Sequence, residues 1–342
     1  MSLISILKRK NSKVLFTTPS HGGKFYIMHK FYQWYKSDIS EVDAYNPEKA
    51  LKFAEYKAAK IYGTKFTKFL TNGSTSGIIA AILASGCKNV LIWDNAHPCH
   101  KNGCMLAGAN IIKYTIDIEK EIGTNRAVSV DCVEELLKNN RADGIIITSP
   151  TYEGYAADVK RISEICHSHQ VKLIVDEAHG ALYPFSDKLP TSAVKYADYT
   201  IQSLHKTAGG INPTALLHSN DNNPQESLKM INTTSPSYPM LATIEANINF
   251  LNSAKGRKKI EKLITNIRSL NIPQINDDVT KILLKAEHMT GFELSEELFN
   301  EFNIEDERTN EVTTMLLCGI GTTAAKLNTL QKAIKKIKLS NF

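Results

Sequence analysis

Four stretches of the chain set reactive or hydrogen-bonding side chains directly after apolar runs: TNGSTSG at 71–77, WDNAHPCH at 93–100, VDEAHG at 175–180 and SLHKT at 203–207. In the last of these Lys206 follows YTIQS, where a buried strand should end. A lysine there is costly to bury and shifts its pKa readily, which suits an amine that bonds to a carbonyl carbon. Asp176 comes straight after the apolar LIV, and a carboxylate so placed needs a cation or hydrogen-bond donors around it. Ser74, Thr75 and Ser76 open a helical stretch, where free N–H groups and hydroxyls make an anion site suited to phosphate. Ser and Thr are also ordinary helix caps. His97 and His100 follow NVLIW, and either one is open to a structural reading.

Taken together, these ends offer an amine, an acid, an aromatic-sized cap and a phosphate cradle. Pyridoxal phosphate needs all four: a lysine for its aldehyde, a carboxylate to keep its pyridine nitrogen protonated, a ring neighbour and a helix N-terminus. The competing cofactor motifs GxGxxG after a strand, GxxxxGK[ST] and HExxH do not occur. Six cysteines without a CxxC pair indicate neither a zinc site nor a disulfide framework, and no metal is expected.

These residues must be positioned by the elements between them. From Phe69 onward short Ile- and Val-rich runs (NVLIWD, NIIKYT, GIIIT, KLIVDEA, YTIQS) alternate with helical patterns such as 74–84 and DVKRISEICHSH. That alternation predicts an α/β domain with a mostly parallel buried sheet, whose ligands collect at the carboxyl ends of the strands. Ahead of it, Asn46-Pro47-Glu48 reads as the start of a helix that runs through LKFAEYKAAKIY and stops at Gly63. Beyond about residue 245 amphipathic helices (IEANINFLNSAKG, KKIEKLITNIRSL, LNTLQKAIKKI) and weaker strands (TKILLKA, TTMLLC) suggest a small second domain. The expected division is an N-terminal arm at 1–45, a large cofactor-binding domain at 46–245 and a small α+β domain at 246–342.

With 342 residues, 42% hydrophobic and 22% charged, the chain fits a soluble protein with a large core. The net charge of +6 comes from scattered lysines and is no nucleic-acid footprint. No run of membrane-spanning length occurs, and MSLISILKRKNSK has too short an apolar core for a signal peptide, so a cytoplasmic protein is expected.

Seven segments in order, FTTPSHGGKF, TNGSTSG, the DNAH stretch with LAGA, TSPTYEGYAADVKRI, VDEAHGA, QSLHKT and NTTSPSYPMLATIEA, resemble the fold-type I Orn/Lys/Arg decarboxylase family. They run over roughly residues 14 to 250, with an echo in GFELSEEL. The resemblance implies an aspartate aminotransferase-like fold and a pyridoxal phosphate-dependent decarboxylase of arginine, lysine or ornithine. It further implies that Lys206 bonds the cofactor's aldehyde and that His97 stacks on the pyridine ring. Asp176 would pair with the ring nitrogen, and Ala178 would lie against the other face. Ser74, Thr75 and Ser76 would hold the phosphate, helped by Ser203 and His205. The segment 234–239 resembles one at a subunit interface, which implies a homodimer with its active sites there.

The chain departs from the family's pattern at Leu204, where Thr is frequent, at Asn212-Pro213 in place of Thr-Gln, and at an abbreviated PSHGG. Beside that pattern a reduced C-terminal region is also expected. For a basic substrate's distal cation the acids nearest matched motifs are Glu41, Asp43 and Glu153, each more readily read as a surface acid or helix cap than as a specificity residue. Two alternatives stay open: an aminotransferase, aldolase or lyase on the same fold, and a homologue that binds the cofactor without turnover. An aminotransferase would use an arginine of the small domain, for which Arg257, Arg268 and Arg308 are available.

Overall fold

The computed structural model describes residues 13–20 and 49–340. Its strands, in chain order, are β1 (Val14–Leu15), β2 (Phe66–Leu70), β3 (Asn89–Trp93), β4 (Asn110–Tyr114), β5 (Ile118–Glu119), β6 (Thr124–Asn125), β7 (Gly144–Thr148), β8 (Lys172–Asp176), β9 (Tyr199–Ser203), β10 (Ala215–Ser219), β11 (Lys281–Leu284), β12 (Ile304–Glu305), β13 (Arg308–Thr309) and β14 (Thr314–Leu317). The helices are α1 (Lys49–Tyr62), α2 (Gly73–Ser85), α3 (Pro98–Ala107), α4 (Val130–Asn139), α5 (Val159–Ser168), α6 (Gln225–Ile231), α7 (Tyr238–Asn252), α8 (Ala254–Arg268), α9 (Gly291–Glu301) and α10 (Ala324–Ile334).

Seven strands form the main sheet in the order β2-β10-β9-β8-β7-β3-β4. β10 runs antiparallel to both its neighbours, while the adjacent pairs from β9 to β4 are parallel. The apolar runs lack polar alternation because both faces of the sheet are covered. Val90, Ile92, Ile146, Ile174 and Ile201 pack on one face with Ile78 and Ile82 of α2 and Cys104 of α3. Leu91, Trp93, Ile145, Ile147, Leu173 and Val175 pack on the other with Val133 of α4 and Ile162 of α5. Among the described residues no helix is long and apolar enough to cross a membrane.

β11, β14 and β13 form a second, antiparallel sheet. Its Ile282, Leu284 and Leu316 share a core with Ile244 and Ile248 of α7, Ile260 and Ile264 of α8, and Leu327 and Leu330 of α10. Phe16 and Leu204 belong to the same cluster, so the C-terminal core is continuous with the turn that carries Lys206. β1 pairs in parallel with β12, tying residues 14–15 to 304–305.

The alternating runs of the sequence all become strands of the main sheet, and TKILLKA and TTMLLC supply β11 and β14. The main sheet also takes in β2 (FTKFL) and β10, which are not among those runs, and one expected helix is divided. β10, with its sequence ALLHS, escapes the pattern because only its first three residues are apolar and it lies close behind Gly209, Gly210 and Pro213. The stretch IEANINFLNSAKG is two helices rather than one, since the Ser253 hydroxyl accepts the Gly256 N–H at 3.1 Å and caps a new start. The helix start at 46–48 lies outside the described residues; α1 ends at Gly63, whose φ is +72°.

α2 can approach the sheet only because Gly77 lacks a side chain. A Cβ there would lie 2.7 Å from Leu70 Cδ1 and 3.0 Å from Ile201 Cγ2. Gly77→Val should therefore push α2 off the sheet and destabilise the fold by about 1–3 kcal/mol, visible as a lowered denaturation midpoint with an unchanged slope.

Candidate active site

Immediately after Ser203, the last residue of β9, the backbone makes one π-helical turn, Leu204–Ala208, closed by Gly209 at φ +81°. π turns are uncommon and concentrate at functional sites. Here the turn brings Lys206 Nζ to 3.0 Å from His179 Nε2, in the loop that follows β8. Burial pushes the Lys206 amine below the usual lysine range; Lys281 reinforces that shift, while Asp176 and Glu307 oppose it.

His179 is buried, and desolvation, then the charges of Lys206 and Lys281, hold its pKa well below the ordinary histidine value. It is a neutral ring. Tyr152, in the loop after β7, packs against it with centroids 4.6 Å apart at 57°. The His179 backbone carbonyl accepts from Lys281 Nζ at 3.1 Å. Lys281 itself is fully buried and lies 2.5 Å from the equally buried Asp278, which also accepts from the Tyr183 hydroxyl at 2.8 Å. An ion pair taken wholly out of water needs such extra bonds to offset its desolvation.

Asp176 ends β8 at 6% exposure. One oxygen lies 3.0 Å from His100 Nε2, and the other accepts from Ala178 N–H at 3.1 Å. Burial alone would raise this carboxyl; the His100 hydrogen bond and charge, then Lys206 and the Ala178 N–H, outweigh it and leave the pKa below the usual aspartate value. The fully buried His100 of WDNAHPCH is thus the donor that keeps Asp176 ionised. His97 stands at the N-cap of α3 with its Nδ1 2.9 Å from Cys99 Sγ. Burial, outweighing the opposing charge of Asp176, lowers its pKa, and Lys206 lowers it further.

The hydroxyls expected to hold a phosphate are not equivalent. Ser203 Oγ is buried and has no hydrogen-bond partner among the described residues. The N-terminus of α2 carries no side-chain cap from Asn72, so its N–H groups are available. Ser74 is half-buried and Thr75 exposed, whereas Ser76 has already given its proton to the Gly73 carbonyl at 2.8 Å. His205 has its Nδ1 3.1 Å from the Thr214 carbonyl, and burial lowers its pKa.

Several residues of the site escape a reading of the sequence. His179 sits inside the quoted VDEAHG, and its signal is its place three residues past the strand-ending acid. Lys281, opening the apolar KILL three residues after Asp278, has the signature of a paired buried charge. Tyr152 and Glu307 carry no signal, because only the tertiary fold brings them to His179 and Lys206. Of the acids named for a basic substrate, Glu153 is buried and lies 3.4 Å from Arg308, while Glu41 and Asp43 lie outside the described residues. Asp278→Asn would leave the Lys281 charge buried without its partner, and a loss of about 3–5 kcal/mol in unfolding free energy by denaturant titration is the expected result.

Set beside known proteins, residues 3–292 match the family described as Orn/Lys/Arg decarboxylase, major domain. An arginine decarboxylase of Bacillus anthracis is 29% identical over 326 residues, covering 86% of this chain and 66% of its own length. Among solved structures, the Francisella novicida lysine decarboxylase LdcF superposes with a TM-score of 0.74 at 18% identity, covering 92% of this chain and 55% of that one. A serine palmitoyltransferase from S. paucimobilis, solved with bound pyridoxal phosphate and myriocin, superposes at 0.70 and 14% identity over 95% and 87% of the two chains. The architecture is that of the fold-type I enzymes, and the chain spans about two thirds of the arginine decarboxylase and about half of the lysine decarboxylase.

Proposed function

We propose that this chain, which belongs to the Orn/Lys/Arg decarboxylase family, is a pyridoxal phosphate-dependent decarboxylase that releases carbon dioxide and an amine from arginine, lysine or ornithine. The observation that carries the reading is the juxtaposition of a desolvated amine, Lys206, and an ionised buried acid, Asp176, at the carboxyl ends of neighbouring parallel strands.

The residues fit the cofactor. The unpartnered Ser203 hydroxyl and the uncapped N-terminus of α2 offer donors to its phosphate, together with Ser74 and Thr75. Bound pyridoxal phosphate would supply an electron sink for the pair left on the substrate's Cα as the carboxyl group departs. Asp176 would hold the proton on the cofactor's pyridine nitrogen, with His100 and the Ala178 N–H keeping the carboxylate charged and oriented. Lys206, its amine shifted toward the neutral form, would be the amine that holds the cofactor by its aldehyde. His179 would hold Nζ in reach meanwhile, and the exposed His97 would cover the ring. Lys206 Nζ or His97 would return a proton to Cα.

The reading includes an oligomer: a homodimer whose interface takes in residues 234–239, with residues 246–342 as the smaller domain. Cytoplasmic location belongs to the same reading.

Arg308 favours one alternative, an aminotransferase, because its guanidinium lies 4.8 Å from the Tyr152 ring centroid, beside the site. Its engagement with Glu153 weakens that role. The two reactions part in their products, since transamination gives a keto acid and no carbon dioxide.

The test is amine and carbon dioxide release by the cofactor-loaded protein offered arginine, lysine and ornithine separately. One of the three should release both. Lys206→Ala should lose the visible absorbance of the loaded protein as well as release, and Asp176→Asn should lower the rate by about 10²-fold or more while retaining the absorbance. A keto acid without carbon dioxide would replace the decarboxylase reading with the aminotransferase one.

A further inference from the structure

A basic amino acid carries a second cation several bonds from its Cα, and a site that selects it must present an uncommitted carboxylate at that distance. Most acids around Lys206 and His179 are spoken for. Asp176 is held by His100, Asp278 by Lys281 and Glu153 by Arg308. Glu177 is buried against Ser192, Ala193 and Gln202, and burial raises its pKa well above the usual range, toward the neutral acid.

Glu307 differs. It follows β12 and is half-buried, and among the described residues its carboxylate accepts only from neutral donors: Thr18 N–H at 2.6 Å, the Thr18 hydroxyl at 3.3 Å and the Tyr152 hydroxyl at 2.8 Å. Among the described residues no cationic side chain lies within ion-pair distance of it. Three contacts link it to the amine: its bond to Tyr152, the stacking of Tyr152 on His179, and the 3.0 Å approach of His179 to Lys206 Nζ. The segment that donates to it also holds the lysine's turn, because Ser20 N–H bonds to the His205 carbonyl at 2.9 Å and Ser20 Oγ accepts from Gly209 N–H at 3.1 Å. Its charge reaches Lys206 and, after burial, is the next influence raising the Tyr152 phenol.

From this placement we infer that Glu307 is the specificity-determining carboxylate that receives the distal ammonium or guanidinium group of the substrate. The inference rests on the decarboxylase reading for its substrate class and adds the residue that selects it. Tyr152 and Thr18 orient the carboxylate, and the strap at residues 13–20 fixes its distance from Lys206. A cation entering the site completes an ion pair for which three hydrogen bonds are already in place.

Calorimetric titration of the cofactor-loaded protein with arginine, lysine and ornithine as their methyl esters, which have no free carboxylate to lose, and with the neutral isosteres citrulline, 2-aminoheptanoate and norleucine, respectively, as the same esters, tests this without relying on turnover. The unaltered protein should bind one basic amino acid at least about tenfold tighter than its isostere, as a charge-assisted hydrogen bond predicts. Glu307→Gln keeps one acceptor oxygen for the Thr18 N–H, with its NH2 able to donate to the Tyr152 hydroxyl oxygen, and should erase that preference, leaving affinity for the isostere and for the cofactor within about twofold. Glu307→Asp, which keeps the charge, should restore part of it. A preference that survives in Glu307→Gln, or none in the unaltered protein, overturns the assignment. Carbon dioxide release from the free amino acids, measured on the same protein preparations, reports separately on the reaction: a Glu307-dependent preference without release would leave the subsite standing and remove the decarboxylase reading.

Discussion

Asp176 lies almost out of reach of water at the end of a strand whose two faces are both covered, where an unpaired carboxylate would cost several kcal/mol. Much of the surrounding architecture answers that cost. His100 is fully buried at the start of α3 and aims Nε2 at one oxygen, while the loop after β8 folds back so that the Ala178 N–H reaches the other. The next strand's turn then places the Lys206 charge close enough to favour the ionised acid further. The acid stays charged because three elements converge on it, and the same convergence leaves the lysine desolvated.

The two groups shift each other in complementary ways. A nearby carboxylate favours the charged form of Lys206, yet burial and the fully buried Lys281 work against it, and the net direction is downward. Lys281 reaches this position from the second sheet, held by Asp278, whose carboxylate also accepts from the Tyr183 hydroxyl, and its ammonium fixes the His179 carbonyl. The C-terminal region therefore acts on the lysine twice, once as a charge and once as the clamp on the residue that touches Nζ. The N-terminal strap adds a third restraint, joining β12 and Glu307 to the turn around Lys206.

Much of this arrangement was legible in the order of the residues. Lys206, Asp176, Ser203 and the opening of α2 each follow an apolar run, and in a parallel sheet with right-handed crossovers the carboxyl ends all face one edge. Sequence position alone therefore brings them together. Ser76 shows where that logic stops: its type and place suit a phosphate cradle, but the geometry of the helix's first turn directs its proton to the Gly73 carbonyl. The histidines of WDNAHPCH show the same limit, since an offset of three residues at the start of α3 separates His100, the fully buried partner of Asp176, from the exposed cap His97.

What the sequence by itself determined is the alternation of strands and helices, the α/β sheet that follows from it, and the residues that stand at the carboxyl ends of its strands. These depend on local periodicity and on burial, which neighbouring residues encode. What only the tertiary structure decided is the second ring of contacts: His179 on Lys206, Tyr152 on His179, Lys281 and Asp278 beneath them, and Glu307 beyond. Those partners come from segments separated by up to some 150 positions, and Tyr152 with Glu307 are 155 apart. No local pattern specifies which distant polar group will satisfy a buried one; that is settled when the sheets pack and each desolvated group must find a partner within about 3 Å.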